Sequence, residues 1–216
     1  PTVKENIGIV FDECNFHDVF TAADIEKILK GVYKTWDSNL FSQYLKKFKI
    51  PTKKTISAFS KGMKMKLSII CAMAHRPKLL ILDEATSGLD PIIRDDILDI
   101  LIDFVQDENH SVLVSSHIIS DLEKVADYIT FINRGRVVFS KDKDELICNY
   151  KLIHCRASKF DEINKTGIIA YKEEKNRVDF IYDCSVCKNF QYSNDVVIED
   201  TSIEDIMLIL TRGHIL

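Results

Sequence analysis

The sequence predicts an α/β fold built on a mostly parallel β-sheet. Two observations lead to this prediction: apolar runs of strand length alternate with amphipathic stretches of helix length, and the runs are too continuous for strands with one solvated face. The plainest run is Leu79-Leu80-Ile81-Leu82, which stops abruptly at Asp83 and Glu84. Since ligands gather outside the carboxyl ends of parallel strands, these two acids are candidate functional residues.

Local sequence signals predict each secondary-structure element before residue 60. Residues 7–11 form a short apolar run that predicts a strand. Thr21 and Asp24 resemble a capping box at the start of a helix, with Asp in place of Glu or Gln. Residues 37–49 predict a second helix, which Pro51 ends because the residue before a proline avoids helical geometry.

The central part of the chain alternates regularly between helix and strand. Ser60 is the expected start of a helix that closes before Pro77, and the strand at residues 79–82 follows. Asp90-Pro91 is the expected cap and first position of the next helix. Residues 111–115 then form another apolar run, which predicts a neighbouring strand ending near His117.

The pattern of predicted secondary structure changes after about residue 140. Short strands with polar turns and a final helix at residues 203–210 predict a small α+β extension. The predicted domains are therefore residues 1–140, with a helical subdomain at about residues 16–76, and residues 141–216.

Composition narrows the function classes. The chain has 216 residues, 46% hydrophobic and 29% charged, as is ordinary for a globular protein. Its net charge of −4 gives no electrostatic argument for binding nucleic acid. No apolar run has the length of a membrane span, so we expect any membrane contact to pass through a partner.

Six cysteines are scattered along the chain, and reduced thiols are the favoured interpretation. Cys184 and Cys187 have the spacing of a redox or metal-binding pair, and His154-Cys155 are the candidates to join it. Because there is only one such pair, a metal or redox role is the weaker alternative.

Three chain segments carry residues that suit phosphate chemistry. Asp83-Glu84 and His117 each follow a strand, while the segment from Ser60 to Met63 begins a helix. Helix starts expose unpaired N–H groups that favour phosphate. Each segment also has a simpler interpretation: Ser60 and Asp90 as helix caps, the acids as a solvated loop start, and the histidine as structural.

Taken together, these residues resemble the ATP-binding subunit of ABC transporters. Phe59-Ser60-Lys61-Gly62-Met63 looks like the signature motif, usually Leu-Ser-Gly-Gly-Gln. Residues 79–84 look like the Walker B strand, Ser87-Gly88-Leu89-Asp90 like the D-loop, and His117 like the switch histidine. The order and spacing match over about residues 7–140, and the signature variant is similar to exporter-type ATPases. The resemblance implies a P-loop NTPase-like sheet with an inserted helical subdomain.

The resemblance also implies cofactors and roles. ATP and Mg²⁺ are the implied cofactors, with Asp83 holding Mg²⁺ through its water shell. Glu84 would be the general base for the attacking water, and His117 would contact the γ-phosphate.

Other residues would act across a head-to-tail dimer. Ser60, Lys61, Gly62 and Met63 would face the γ-phosphate of ATP held by a second ATPase subunit. Asp90 would link the two sites across that interface.

Several positions depart from the family pattern. Asp12 stands where the Q-loop glutamine is usual, so its contact with Mg²⁺ or its water is left in doubt. Lys61 replaces the first signature glycine, Met63 replaces glutamine, and Ala85 replaces a common proline.

The phosphate-binding loop is the larger departure. None of the seven glycines is followed by lysine, so the chain contains no Gly-x-x-x-x-Gly-Lys-Ser/Thr. We expect a strand–loop–helix carrying that motif to precede Pro1, and we expect the present chain alone to be inactive.

The leading functional prediction is a subunit that powers export through a separate membrane permease. The resemblance places it in the cytoplasm, peripheral to the inner face of the cell membrane, with the permease and a second ATPase subunit as partners. A soluble ABC-type ATPase acting on DNA or ribosomes is the alternative, although no basic patch supports it. A third interpretation is a non-hydrolysing regulatory remnant.

Overall fold

The structure is a computed structural model that describes residues 2–186 and 196–215. Contacts between Cα positions divide the chain into two compact units, residues 1–121 and 122–216. Each unit is described by itself below.

The first unit contains three strands, five α-helices, the beginning of a sixth, and a short 3₁₀ turn at Ile56–Ala58 within its described residues. The bounds are α1 Thr2–Glu5, β1 Ile7–Val10, α2 Ala22–Val32, α3 Ser38–Lys47, α4 Lys61–Met73, β2 Leu79–Asp83, α5 Pro91–Phe104, β3 Ser111–Ser115 and α6 Ile119–Val125, which crosses into the second unit.

The three strands form a parallel sheet in the order β1-β2-β3. On one face Val10, Leu80 and Leu82 are buried against α4 and α5. Gly8 lets α4 approach closely, since a Cβ at this position would lie 2.5 Å from the carbonyl oxygen of Ala72. The predicted parallel sheet is confirmed.

The sequence predicts strands that are buried on both faces of the sheet, but the second face is largely exposed. Ile9, Ile81 and Leu113 lie side by side in register across the three strands. Ile9 is 52% exposed and Leu113 is 61% exposed. The reason is that α4 and α5 cover only the opposite face.

The helical region between β1 and α4 packs around a second apolar core. Its buried members are Ala22, Ile25, Phe41, Leu45, Ile50, Ile56, Phe59, Leu67, Ile70, Cys71 and Ala74. The predicted capping box is present, because the Thr21 hydroxyl accepts from the Asp24 N–H while the Asp24 carboxylate accepts from the Thr21 N–H. Helix α4 thus contributes to both cores and joins the helical region to the sheet.

The second unit is mainly antiparallel. Its elements are β4 Tyr128–Asn133, β5 Arg136–Asp142, α7 Lys143–Asn149, β6 Tyr150–Arg156, α8 Ala157–Phe160, β7 Ile168–Glu174, β8 Arg177–Asp183, β9 Val196–Asp200, α9 Ile203–Arg212 and β10 His214–Ile215. Strands β4 and β5 form a hairpin, and the other five form one sheet in the order β10-β7-β8-β6-β9. The predicted α+β character is confirmed, and β9 and β10 are strands beyond those predicted.

The boundary between the compact units lies earlier than the predicted domain boundary. The β4–β5 hairpin groups with the C-terminal unit because α7 packs against both β5 and β6. The division at residues 140 and 141 therefore stays a prediction of where the ATPase-like part ends. Among the described residues, no helix has the length and apolar character required to cross a membrane.

Candidate functional site

The carboxyl end of β2 carries the two acids singled out from the sequence. Leu80 and Leu82 anchor the strand in the core, and Asp83 is its exposed last residue. Glu84 follows with φ +51°, a left-handed conformation that is unusual for a residue other than glycine. Such backbone strain is typical of residues held in place for a function.

His117 and Glu84 are in direct contact although they lie 33 residues apart. The imidazole Nδ1 donates to Glu84 Oε2 across 2.5 Å, since a carboxylate can only accept. The parallel pairing of β2 and β3 produces this contact by setting Asp83 beside Ser115. The structure therefore brings together two of the predicted site residues.

Ser115 is a member of the site that sequence reasoning missed. Its hydroxyl donates to Asp83 Oδ1 across 2.6 Å, and its carbonyl oxygen accepts from the Glu84 N–H across 3.1 Å. Both acids are thus oriented by the end of the neighbouring strand. The available signal was a hydroxyl at the last position of a strand predicted to lie next to β2.

The start of α4 forms a second group. Ser60 is the N-cap, and its hydroxyl accepts from the Met63 N–H across 3.2 Å. Lys61 is exposed, and its Nζ donates to the Ser87 carbonyl oxygen across 2.8 Å. Gly62 is buried, and a Cβ there would lie 2.7 Å from Ile93 Cγ2.

The loop between β2 and α5 faces this helix start. Gly88 has φ +66°, and a Cβ on it would come within 2.8 Å of the Lys61 ammonium. Asp90 is the N-cap of α5, with Oδ1 accepting from the Ile93 N–H across 3.0 Å. Both predicted helix caps, Ser60 and Asp90, are therefore present as caps.

Asp12 follows β1 and is exposed at the same edge of the sheet as Asp83, because Val10 pairs with Leu82. It borders a cavity of about 370 Å³ together with Glu13, Cys14, Phe59, Lys61, Lys64 and Met65. Asp12 thus shares a cavity with the start of α4. Within the described residues, no hydrogen bond or ion pair joins the group at Asp83, Glu84 and His117 to the group at the start of α4.

The chemistry of the donors fits a magnesium–nucleotide complex better than a protein-held metal. Among the described residues, no three His, Cys, Asp or Glu side chains are grouped to hold a metal ion. Mg²⁺ keeps several waters and needs only one or two carboxylates beside substrate phosphates. Asp83 offers one exposed carboxylate whose Oδ1 is already oriented by Ser115.

The cysteine pair gains no support as a reactive site. Burial raises the pKa of the Cys184 thiol, which opposes formation of a thiolate. Cys187 lies outside the described residues. Burial also raises the pKa of Cys155, the neighbour of His154.

Parts of the chain are similar to a known family and to known proteins. Residues 1–87 match the family model described as ABC transporter. The ABC transporter ATP-binding protein YtrB of Bacillus subtilis is 32% identical over 146 residues, which are 68% of this chain and 50% of that protein. The lantibiotic transport ATP-binding protein SrtF of Streptococcus pyogenes is 34% identical over 140 residues, 64% of this chain and 60% of that protein.

A third relative aligns with more of the chain. The bacitracin transport ATP-binding protein BcrA of Enterococcus faecalis is 29% identical over 204 residues, which are 90% of this chain and 63% of that protein. The chain therefore spans about half to two thirds of the length of these relatives.

Solved structures agree on the fold. The structure titled as the ATP binding subunit of an ABC transporter has a TM-score of 0.56 at 23% identity, covering 67% of this chain and 62% of its own. A subunit of the cbiONQ ABC transporter complex from Clostridium perfringens has a TM-score of 0.57 at 24% identity, covering 67% of this chain and 60% of its own. The predicted P-loop NTPase-like α/β fold is confirmed, and residues 1–87 are similar to the ABC transporter family.

Proposed function

We propose that this chain carries the hydrolytic side of the ATP site in a subunit that powers an ABC exporter. The observation that carries the proposal is the oriented group at the end of β2, where His117 contacts Glu84 and Ser115 contacts Asp83. ABC ATP-binding domains are generally ATPases, and their nucleotide site needs an acid that activates water beside the phosphates.

Glu84 is the proposed general base. Its Oε2 accepts from His117 Nδ1, so the carboxylate is held at the strand tip while its other oxygen stays available to a water. The backbone of Glu84 is left-handed, so the chain departs from strand geometry directly after Asp83. A carboxylate placed in this way can accept the proton of a water that attacks the γ-phosphate.

Asp83 is the proposed magnesium ligand, acting through bound water. The Ser115 hydroxyl donates to Oδ1 and so fixes the orientation of this carboxylate. Mg²⁺, when bound with ATP, would neutralise charge on the phosphates. Asp12, at the same edge of the sheet, is proposed to contact that ion or its water.

The start of α4 is the proposed contact with ATP held by a second subunit. Ser60, Gly62 and Met63 present the first turn of a 13-residue helix, whose N–H groups favour phosphate. Asp90 lies across from them at the start of α5. A head-to-tail dimer of two ATPase subunits on a membrane permease, at the inner face of the cell membrane, is the proposed assembly.

Export is the proposed direction of transport because the signature variant Ser60-Lys61-Gly62-Met63 resembles that of exporter-type ATPases. Two of the relatives are named for the transport of lantibiotics and of bacitracin. The phosphate-binding loop is proposed to precede Pro1 in the whole protein, because no glycine of this chain is followed by lysine. We therefore propose that the 216-residue chain alone is inactive.

The test compares phosphate release from Mg-ATP by the chain and by the protein extended upstream to its own initiating methionine. We expect no turnover from the chain and clear turnover from the extended protein. In the extended protein Glu84→Gln should lower kcat by at least ~100-fold, the usual contribution of a general base. Glu108→Gln, which changes an exposed acid in the loop before β3, is the matched control and should leave kcat unchanged.

Three results would contradict parts of the proposal. One is turnover in the 216-residue chain that Glu84→Gln abolishes. The second is an upstream sequence without Gly-x-x-x-x-Gly-Lys-Ser/Thr, which would favour the regulatory remnant. The third is co-purification with ribosomes or DNA instead of a permease, which would favour the soluble ATPase.

A further inference from the structure

The side chain of Lys61 reaches across from α4 to the loop before α5. Its Nζ donates to the Ser87 carbonyl oxygen across 2.8 Å. Both partners are on the surface, yet the contact joins residues 26 positions apart. It connects the first turn of α4 to the loop at residues 85–90.

The glycine at position 88 makes room for this contact. A Cβ there would lie 2.8 Å from the Lys61 Nζ, so the flexible end of the lysine side chain would have to shift. Gly88 also has φ +66°, which strains residues with a side chain. The ammonium therefore lies directly against the backbone of this loop.

A second contact between the same two helix starts is apolar. Gly62 is buried against Ile93, which is in the first turn of α5. Gly62 packing on Ile93 thus holds the first turns of α4 and α5 together, and Lys61 attaches the loop to α4 at Ser87. The loop that leads into Asp90 lies between these two attachments.

We propose that Lys61 is a positioning residue, which holds the loop at residues 85–90 against the start of α4 through the Ser87 carbonyl. The contact sets the placement of Asp90 relative to Ser60 and Gly62. Its importance for ATP chemistry rests on the proposed function, but the contact itself does not. Glycine, the usual signature residue at this position, has no side chain with which to donate.

The charge at Nζ is what makes the contact effective. A hydrogen bond from a charged donor is stronger than one between neutral groups. The Ser87 N–H donates to the Glu84 carbonyl oxygen, and the Leu89 N–H donates to that of Thr86. These two amides exchange with solvent when the loop opens, so their exchange rates report how firmly it is held.

The experiment is amide hydrogen exchange on the 216-residue chain without nucleotide. Lys61→Met keeps the aliphatic length and removes the donor, and Lys61→Arg keeps a cationic donor. We expect exchange at Ser87 and Leu89 to be about 3- to 10-fold faster in the Met variant, in line with the loss of one partly exposed charged hydrogen bond. The Arg variant should restore the rate to near that of the parent.

Lys64→Met is the matched control, because Lys64 lies on the same helix and pairs with Asp18 across 2.8 Å. It should speed exchange near Asp18 and leave Ser87 and Leu89 unchanged. The proposal is overturned if Lys61→Met exchanges like the parent, if Lys61→Arg is as fast as Lys61→Met, or if Lys64→Met accelerates the same two amides. Because no nucleotide is used, these results are independent of whether the extended protein hydrolyses ATP.

Discussion

The two compact units each contain a histidine paired with a carboxylate, and the two pairs have different surroundings. In the first unit His117 lies 2.5 Å from Glu84, with side chains 66% and 34% exposed. In the second unit His154 lies 2.7 Å from Asp179, with side chains 17% and 11% exposed. Both are histidine–carboxylate pairs, so they differ in their environment and not in the type of contact.

The pair in the second unit is enclosed by further charges. Arg177 donates to both oxygens of Asp179, across 2.7 and 2.8 Å. His154 Nε2 also lies 3.7 Å from Glu199 on the edge strand β9. Every member is on a strand of one sheet, and the group joins β6, β8 and β9. This arrangement satisfies its own charges and serves to hold the sheet together.

The pair in the first unit is at the end of a sheet and is open to solvent. Glu84 has a strained backbone, and within the described residues its carboxylate contacts His117 and no lysine or arginine side chain. An exposed, strained pair at a strand tip is suited to binding a ligand. An enclosed pair in the middle of strands is suited to stabilising the sheet.

The largest expected effect is in the enclosed pair. Asp179→Ala leaves Arg177 and His154 without their shared acceptor, and we expect the second unit to lose ~1–3 kcal/mol of unfolding free energy. Hydrogen exchange of strands β6, β8 and β9 measures the change. Trp36, the single tryptophan, lies in the first unit, so its fluorescence midpoint in urea should stay unchanged. An unchanged exchange rate in the three strands would mean that the pair is not structural.

The next largest effect is a gain in unfolding free energy, and it comes from a change in the exposed pair. Glu84→Gly removes a side chain from a residue with φ +51°, and we expect the first unit to gain up to ~1 kcal/mol because glycine adopts this conformation without strain. Trp36 fluorescence in urea measures it. Glu84→Gln keeps a side chain in the same conformation and is the control that should show no gain. A loss of stability in the glycine variant would show that the strained glutamate serves the fold.

The sequence alone predicted the elements on which both pairs depend. The apolar run before Asp83 gave β2, and Ser60, Asp90 and the pair Thr21–Asp24 are the helix caps expected of them. These features are local, because an N-cap needs only the amides two or three residues ahead. The contacts of His117 with Glu84 and of Lys61 with Ser87 join residues 33 and 26 positions apart. They depend on strand register and loop conformation, which the types of these residues do not encode.

A third histidine, His75, makes the stability of the first unit depend on pH. His75 is buried, stacks on Tyr33 with ring centroids 4.0 Å apart, and contacts the Ile7 carbonyl oxygen through Nε2. Burial lowers its pKa, so the unfolded chain takes up a proton at a higher pH than the folded chain does. The stability that comes from keeping His75 neutral is present above about pH 6.5, the ordinary histidine pKa, and is lost as the pH falls below it.

We therefore expect the first unit to lose stability between pH 7 and 5 more steeply than the same unit in His75→Gln. The slopes should differ by at most ~1.4 kcal/mol per pH unit, the value for one proton. Urea denaturation followed by Trp36 fluorescence at several pH values measures both slopes. Equal slopes in the two proteins would show that His75 does not cause the acid sensitivity.

The smallest expected effect separates function from stability at the exposed pair. His117→Gln removes the imidazole from a side chain that is 66% exposed, and exposed ion pairs contribute little. We expect a change below ~0.5 kcal/mol in the unfolding free energy of the first unit, as is usual for surface substitutions. In the enclosed pair, the matched His154→Gln should destabilise the second unit more, because His154 lies between two carboxylates on adjacent strands. If His117→Gln proved the costlier of the two, the strand-tip pair would have to be assigned to the fold, and the role proposed for Glu84 would lose its main structural support.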